Sequence, residues 1–129
     1  MYTIENEQLS AVVNLLGAEL SSVVNKSNGL EYLWSGDAAF WGKKSPVLFP
    51  IVGTLKDNSY IFNDKNYKLS RHGFAREKIF SVKEQTAASI IFELEDDQNS
   101  LAVFPFRFSF CIIYSFCVLC FFCGYRITT

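Results

Sequence analysis

Phe104-Pro105-Phe106-Arg107-Phe108-Ser109-Phe110-Cys111-Ile112-Ile113-Tyr114-Ser115-Phe116 carries a large apolar side chain at every second position. Successive residues of a strand face opposite sides of a sheet, so this period of two with an aromatic face predicts a strand buried on one side. Pro105 has no N–H to donate and belongs near the start of that strand or on an edge.

From Phe116 the alternation degrades into Cys117-Val118-Leu119-Cys120-Phe121-Phe122-Cys123-Gly124-Tyr125. Three readings fit. The first is a second, buried strand ending at Tyr125-Arg126-Ile127-Thr128. The second is a membrane anchor over residues 110–125, although about 16 residues fall short of the ~20 that a bilayer requires. The third is a metal site, because Cys117, Cys120 and Cys123 have C-x2-C-x2-C spacing with Cys111 nearby, which can hold iron–sulfur clusters. Those ligands sit among Phe, Leu and Val, and strand residues three apart face opposite sides. Small buried cysteines are the ordinary alternative.

Upstream the pattern is β throughout. Residues 2–5 and 8–14 alternate about a tight turn at Asn6-Glu7. Residues 19–24 form a strand that closes at Asn25-Lys26-Ser27-Asn28-Gly29, where Asn-Gly favours positive φ. Residues 31–34 read as a further short strand. Residues 59–62 and 67–69 flank Asn63-Asp64-Lys65-Asn66 as a hairpin, and residues 79–83 and 89–94 complete the set. No segment has a convincing helical period. Glu93-Leu94-Glu95-Asp96-Asp97 reads as a strand end running into a solvated turn, without the spacing of a calcium loop.

The 129 residues are half hydrophobic and carry a net charge of -1. That length predicts one domain over 1–129. Without a basic patch, nothing points to nucleic acid. Met1-Tyr2-Thr3-Ile4-Glu5 has neither the basic start nor the apolar stretch of a secretory leader, and the first ninety residues hold no cysteine; a cytoplasmic location is expected.

Chemistry concentrates in the long segment 35–56 and just beyond it. Ser45-Pro46-Val47-Leu48-Phe49-Pro50-Ile51-Val52-Gly53 is stiffened by two prolines, and Gly53 allows positive φ or close backbone approach. After the hairpin comes Arg71-His72-Gly73-Phe74-Ala75-Arg76, which contains the only histidine of the chain. An imidazole donates, accepts or transfers protons near neutral pH, and guanidinium groups fork onto oxygens, so an oxygen-rich ligand suits the set. His72, then Arg76, then Arg71 are the candidate binding residues. A loop histidine satisfied by backbone, and an Arg76–Glu77 salt bridge, are the plain structural readings. Trp34, Phe40 and Trp41 read as core packing, or else as an apolar face for a sugar ring.

Leu30-Glu31-Tyr32-Leu33-Trp34, Phe40-Trp41, the run from Ser45 to Gly53, Leu55-Lys56-Asp57, Tyr60 and the hexad from Arg71 to Arg76 together resemble the aldose 1-epimerase (galactose mutarotase-like) family, in its shorter bacterial branch. Ile4-Glu5-Asn6 and Leu16-Gly17-Ala18-Glu19-Leu20 resemble the family's first strands. The resemblance implies an all-β antiparallel sandwich of the supersandwich type, of which this chain is the N-terminal part. It implies an isomerase that interconverts the α and β anomers of aldohexoses without a cofactor or metal. A histidine acid and a glutamate base would act from opposite sides of one pocket.

His72 matches the family's sugar-binding histidine of the His-Gly loop, not the proton donor. Arg76 matches the arginine that follows that loop. Thr54 stands where relatives often have arginine. The family's acid and base lie in its second half, so no catalytic residue is assigned and the pair is expected beyond Thr129. The partner expected is a small sugar, hexose or hexose phosphate. Two alternatives accompany this reading: a non-catalytic carbohydrate-binding module or inactive remnant, and a small membrane-associated protein anchored by residues 110–125. A sandwich stopped here leaves an edge and an aromatic face open to homo-oligomerisation.

Overall fold

The computed structural model describes residues 1–118 and 120–129. Three antiparallel sheets are formed. β1 (Tyr2–Glu5), β2 (Leu9–Val13) and β3 (Leu20–Asn25) make a meander in the order β1-β2-β3. Asn6 sets its first turn, accepting from the backbone N–H groups of Gln8 and Leu9 through its side chain, as Asn does when it mimics a backbone turn. β4 (Ser59–Phe62) and β5 (Lys65–Lys68) pair as a hairpin whose two turn residues, Asn63 and Asp64, have φ of 47° and 58°. This is the left-handed pair that a two-residue hairpin turn demands, and it starts β5 two residues earlier than the sequence pattern suggests.

The largest sheet runs β6 (Ser81–Gln85), β7 (Ser89–Glu95), β8 (Ser109–Phe116) and β9 (Phe121–Thr128), in that order. In register, Ile90 faces Tyr114, Phe92 faces Ile112 and Leu94 faces Phe110, and all six are buried. Alternation and burial therefore agree, and this face closes against β1 to β3. Tyr114 Oη donates to the Ala18 carbonyl at 2.9 Å, and the Glu5 N–H donates to the Ala87 carbonyl at 2.8 Å. One continuous apolar core joins Ile4, Ala11, Val13 and Val23 of the small sheet to Phe80, Phe92, Phe110 and Ile112. The all-β antiparallel expectation holds.

Several expectations fail in instructive ways. β8 begins at Ser109 rather than Phe104, because a six-residue helix, α1 (Gln98–Val103), precedes it. Asp97 caps that helix: its Oδ1 accepts from the Ser100 N–H at 2.6 Å while Ser100 Oγ accepts from the Asp97 N–H at 2.8 Å. Phe104 and Phe106 follow in irregular chain and pack ring on ring at 4.8 Å. Nor is β8 buried on one side only, since Cys111 on its other face is 2% exposed. Of residues 31–34 only Glu31 pairs, through an isolated bridge to Val24. Three of the four acids of the run hold cations: Glu93 pairs with Lys83, Asp96 with Arg107 at 2.9 Å and Asp97 with Lys78 at 2.8 Å.

The second strand after Phe116 exists as β9, but it is largely exposed rather than buried. Residues 110–125 do not form a single apolar helix: they divide between β8 and β9, with Leu119 of that span outside the described residues. Among the described residues no helix is long and apolar enough to cross a membrane. The cysteines are not all buried either. Cys111 is buried, Cys117 and Cys120 are exposed and joined as a disulfide, and Cys123 is exposed. Among the described residues no three potential ligands gather as a metal site. Trp34, Phe40 and Trp41 are 43%, 81% and 50% exposed, which overturns core packing for them. They pack on one another instead, with Trp34 and Phe40 edge to face and Trp34 Nε1 donating to the Trp41 carbonyl at 2.8 Å.

Candidate functional site

The proline-rich segment enters the site already anchored. Glu19 Oε1 accepts from the N–H groups of Lys44 and Ser45 at 3.0 and 2.9 Å, and Ser45 Oγ donates to the Leu20 carbonyl. Phe49 then drives the segment into the core. Its ring lies 4.5 Å from Phe110, 5.1 Å from Phe108 and 6.0 Å from Phe74 and Phe104. Its carbonyl accepts from the N–H groups of Phe74 and Ala75 at 2.9 and 3.2 Å.

This crossing explains the glycine of the His-Gly pair. Gly73 has φ of 71°, and a Cβ there would overlap the Phe49 carbonyl. No residue with a side chain fits where the two segments meet. His72 itself has φ of 69°, so the loop presents its ring from a left-handed backbone position.

The ring is held by Gly53. The Gly53 N–H donates to His72 Nδ1 at 2.9 Å, and the His72 N–H returns a bond to the Gly53 carbonyl at 2.8 Å. A backbone N–H can only donate, so Nδ1 is an acceptor and the neutral ring carries its proton on Nε2. Arg71 Nε–H is aimed at Nε2 from 3.1 Å, also as a donor. A neutral imidazole accepts at one nitrogen only, so with Gly53 on Nδ1 the Arg71 N–H is left to be taken by a ligand oxygen. Partial desolvation, followed by the positive charges of Arg71 and Arg76, holds the imidazole below the usual histidine range.

Arg76 buttresses the loop. It donates to the Arg71 carbonyl at 3.0 Å and lies 3.7 Å from Glu77 in a partly exposed pair. The salt-bridge reading made from sequence is thus present, and it adds little by itself. Arg71 is exposed and lines an open cleft of about 630 Å³ with Asn58, Lys68, Ser70 and Phe74. The structure therefore brings His72, Arg71 and Arg76 into one loop. Sequence reading did not find Lys68, Asn58 or Ser70. Their signal, a polar residue at a hairpin end, is too common to single out.

The aldose 1-epimerase family model matches residues 1–129. The galactose mutarotase related enzyme of Lactobacillus acidophilus superposes with a TM-score of 0.95 at 38% identity, over 98% of this chain and 42% of its own. A galactose mutarotase-like protein of Lactobacillus casei gives a TM-score of 0.94 at 35% identity, over 98% and 43%. Protein LacX (chromosomal) of Lactococcus lactis is 31% identical over 116 residues, 86% of this chain and 38% of LacX. The fold is that of the galactose mutarotases, and the chain belongs to the aldose 1-epimerase family. It spans about two-fifths of the length of these relatives.

Proposed function

We propose that this chain is the sugar-holding part of an aldose 1-epimerase-type protein, a single cytoplasmic domain comprising the N-terminal portion of the sandwich. The observation that carries the reading is the placement of the His72 imidazole and the Arg71 guanidinium side by side on one loop, Nε2 and Nε 3.1 Å apart. A ring or C1-side oxygen of an aldohexose can accept from either group, and such a bond polarises the C1–O system toward ring opening. Arg76, bonded to the Arg71 carbonyl, fixes the loop that presents them.

Anomer exchange further requires one group to deliver a proton to the ring oxygen and another to remove one from the C1 hydroxyl. His72 is the only histidine, and its Nδ1 is committed to a backbone N–H, so the ring donates but has no free basic nitrogen. His72 is therefore given the role of holding the sugar, and no residue of 1–129 is assigned the proton transfer. The same commitment of Nδ1 supports a second reading, carbohydrate binding without turnover.

Polarimetry of freshly dissolved α-D-galactose and α-D-glucose, run beside a His72 NMR titration with the same sugars, separates the two readings. Ring-signal movement, together with acceleration that disappears in His72→Ala, supports the epimerase. Movement without acceleration leaves a binding module. No movement at millimolar sugar sinks both.

A further inference from the structure

The β8–β9 hairpin closes without a turn sequence. Phe116 and Phe121 are the last pair of its register, and the Cys117 N–H donates to the Cys120 carbonyl at 2.9 Å. Only Val118 and Leu119 stand between the two cysteines in the sequence. Two-residue hairpin loops favour Asn, Asp or Gly, because their central residues take positive φ. The β4–β5 hairpin follows that rule with Asn63 and Asp64. A valine and a leucine have no such preference, and β-branching opposes it. The flanking residues are joined instead: Cys117 and Cys120 form a disulfide, their Cα atoms 5.1 Å apart. A covalent bond stands where turn chemistry is missing.

The tip closed in this way is a meeting point of the fold. Asn6, which sets the β1–β2 turn, donates from Nδ2 to the Cys117 carbonyl at 3.0 Å. The Phe116 N–H donates to the Ala88 carbonyl, between β6 and β7, at 2.8 Å. The ring of Phe121 lies 4.9 Å from that of Phe116 and 6.0 Å from that of Tyr114, whose hydroxyl ties the two sheets. An ordered tip thus keeps this end of the core covered. Both bridged cysteines are exposed, so the bond is open to reagents in solution. Of the two free thiols, Cys111 is buried and Cys123 exposed.

We propose that Cys117 and Cys120 form a reversible thiol–disulfide modification site for low-molecular-weight thiols, and that its oxidation state sets the order of the β8–β9 tip. In reduction, a thiolate of a dithiol attacks one sulfur of the bridge, and the other cysteine leaves as a thiolate and takes up a proton. The second thiolate of the reagent then attacks the mixed disulfide. The remaining cysteine leaves and is protonated, and the reagent departs as a cyclic disulfide that has given up two electrons. A small disulfide reverses the change, leaving as two thiols that carry off the two electrons and two protons of the cysteines. In a reducing compartment the pair stands open, and an oxidant closes it. The tip lies six residues along β8 from Phe110, the residue stacked on Phe49, or about 20 Å at the rise of a strand. The proposal rests neither on the sugar reading nor on the family assignment.

The test uses the Cys123→Ser variant, which removes the exposed single thiol. After oxidised glutathione, iodoacetamide under native conditions should label no cysteine, and peptide masses should show Cys117 joined to Cys120. After dithiothreitol both should label while buried Cys111 does not, and a second oxidation should restore the first pattern. Reduction should speed amide exchange of Cys117 and of residues 121–123 at least about tenfold, the mark of a tip that opens locally, and leave β7 unchanged. The Cys117→Ser/Cys120→Ser double variant should exchange at the reduced rate with or without dithiothreitol. If that variant does not fold, the comparison before and after reduction decides alone. Two glutathione adducts in place of the bridge overturn the proposal, and so does a bridge that does not re-form. Tip amides that exchange equally in both states overturn its structural half. No sugar enters these readouts, so failure here is distinct from failure of the epimerase reading.

Discussion

Gly53 and His72 bind each other twice: the glycine N–H donates to the imidazole Nδ1, and the histidine N–H donates to the glycine carbonyl. Protonating Nδ1 would set its new N–H against the Gly53 N–H, and the neighbouring arginines oppose the same charge. His72 should therefore titrate below 6.5, the ordinary histidine value. The folded state binds fewer protons here than the unfolded chain does. The site's contribution to stability is accordingly complete above about 6.5 and is lost as pH falls from there through the folded value. Arg71→Gln removes one opposing charge and should raise the midpoint, read from the imidazole shifts by NMR. A midpoint that stays put or falls in this variant would refute the electrostatic account.

Gly73→Ala should be the most damaging single-methyl change in the chain. The added Cβ meets a backbone carbonyl, which cannot rotate away as a side chain can, and the backbone is left-handed besides. Loss of about 3 kcal/mol or more is expected, the range of overpacking and strained-backbone changes combined. Urea denaturation with unchanged slope would measure it. A cost below about 1 kcal/mol, under the usual range for such strain, would mean the crossing of residues 49 and 73 is looser than described.

Tyr114→Phe deletes one buried hydroxyl and leaves the Ala18 carbonyl without that donor. The expected cost is about 1–3 kcal/mol, the penalty of an orphaned buried acceptor. Phe92→Ala removes a fully buried ring and should cost about 3–5 kcal/mol. The order of the two, by thermal or urea unfolding, tests whether packing or the polar tie between the sheets dominates there.

Asp97→Ala removes both the α1 cap and the Lys78 ion pair. Lys78 and the Ser100 N–H hold the Asp97 carboxyl down to about 2, against an ordinary 3.8. Depression of this kind adds stability above about 3.8 and loses it as pH falls toward 2. The side chain is half exposed, so the cap is expected to supply most of a loss of about 1 kcal/mol at neutral pH. The wild-type protein and the Asp97→Ala variant should converge in stability near pH 2, a convergence that acid denaturation can confirm or refute.

The part of the fold with a strict period was legible. From Phe110 to Tyr114 every second residue faces the core, and the structure agrees at each of these buried positions. The period misled at Phe104 and Phe106, which keep the alternation but pack as a ring cluster after α1. The signal for that helix was available in Asp97 and Ser100, spaced three apart as a reciprocal cap requires, but it lies inside a run that reads as solvated acid. At the site, residue types pointed to His72 and its arginines. The orientation of the ring depends on the Gly53 N–H, and a backbone group carries no signature in a sequence. Exposure of Trp34, Phe40 and Trp41 was not legible either, because their composition looks like core and only the fold says that they pack on one another outside it.

Phe49 ties two structures to one residue. Its ring is the hub of the aromatic core, and its carbonyl is the fixed point around which the His72 loop folds. The loop cannot be retuned from this position, because any change there is first a change to the core. Variation is pushed outward, to exposed positions such as Thr54 and Lys68, which can change without disturbing that anchor.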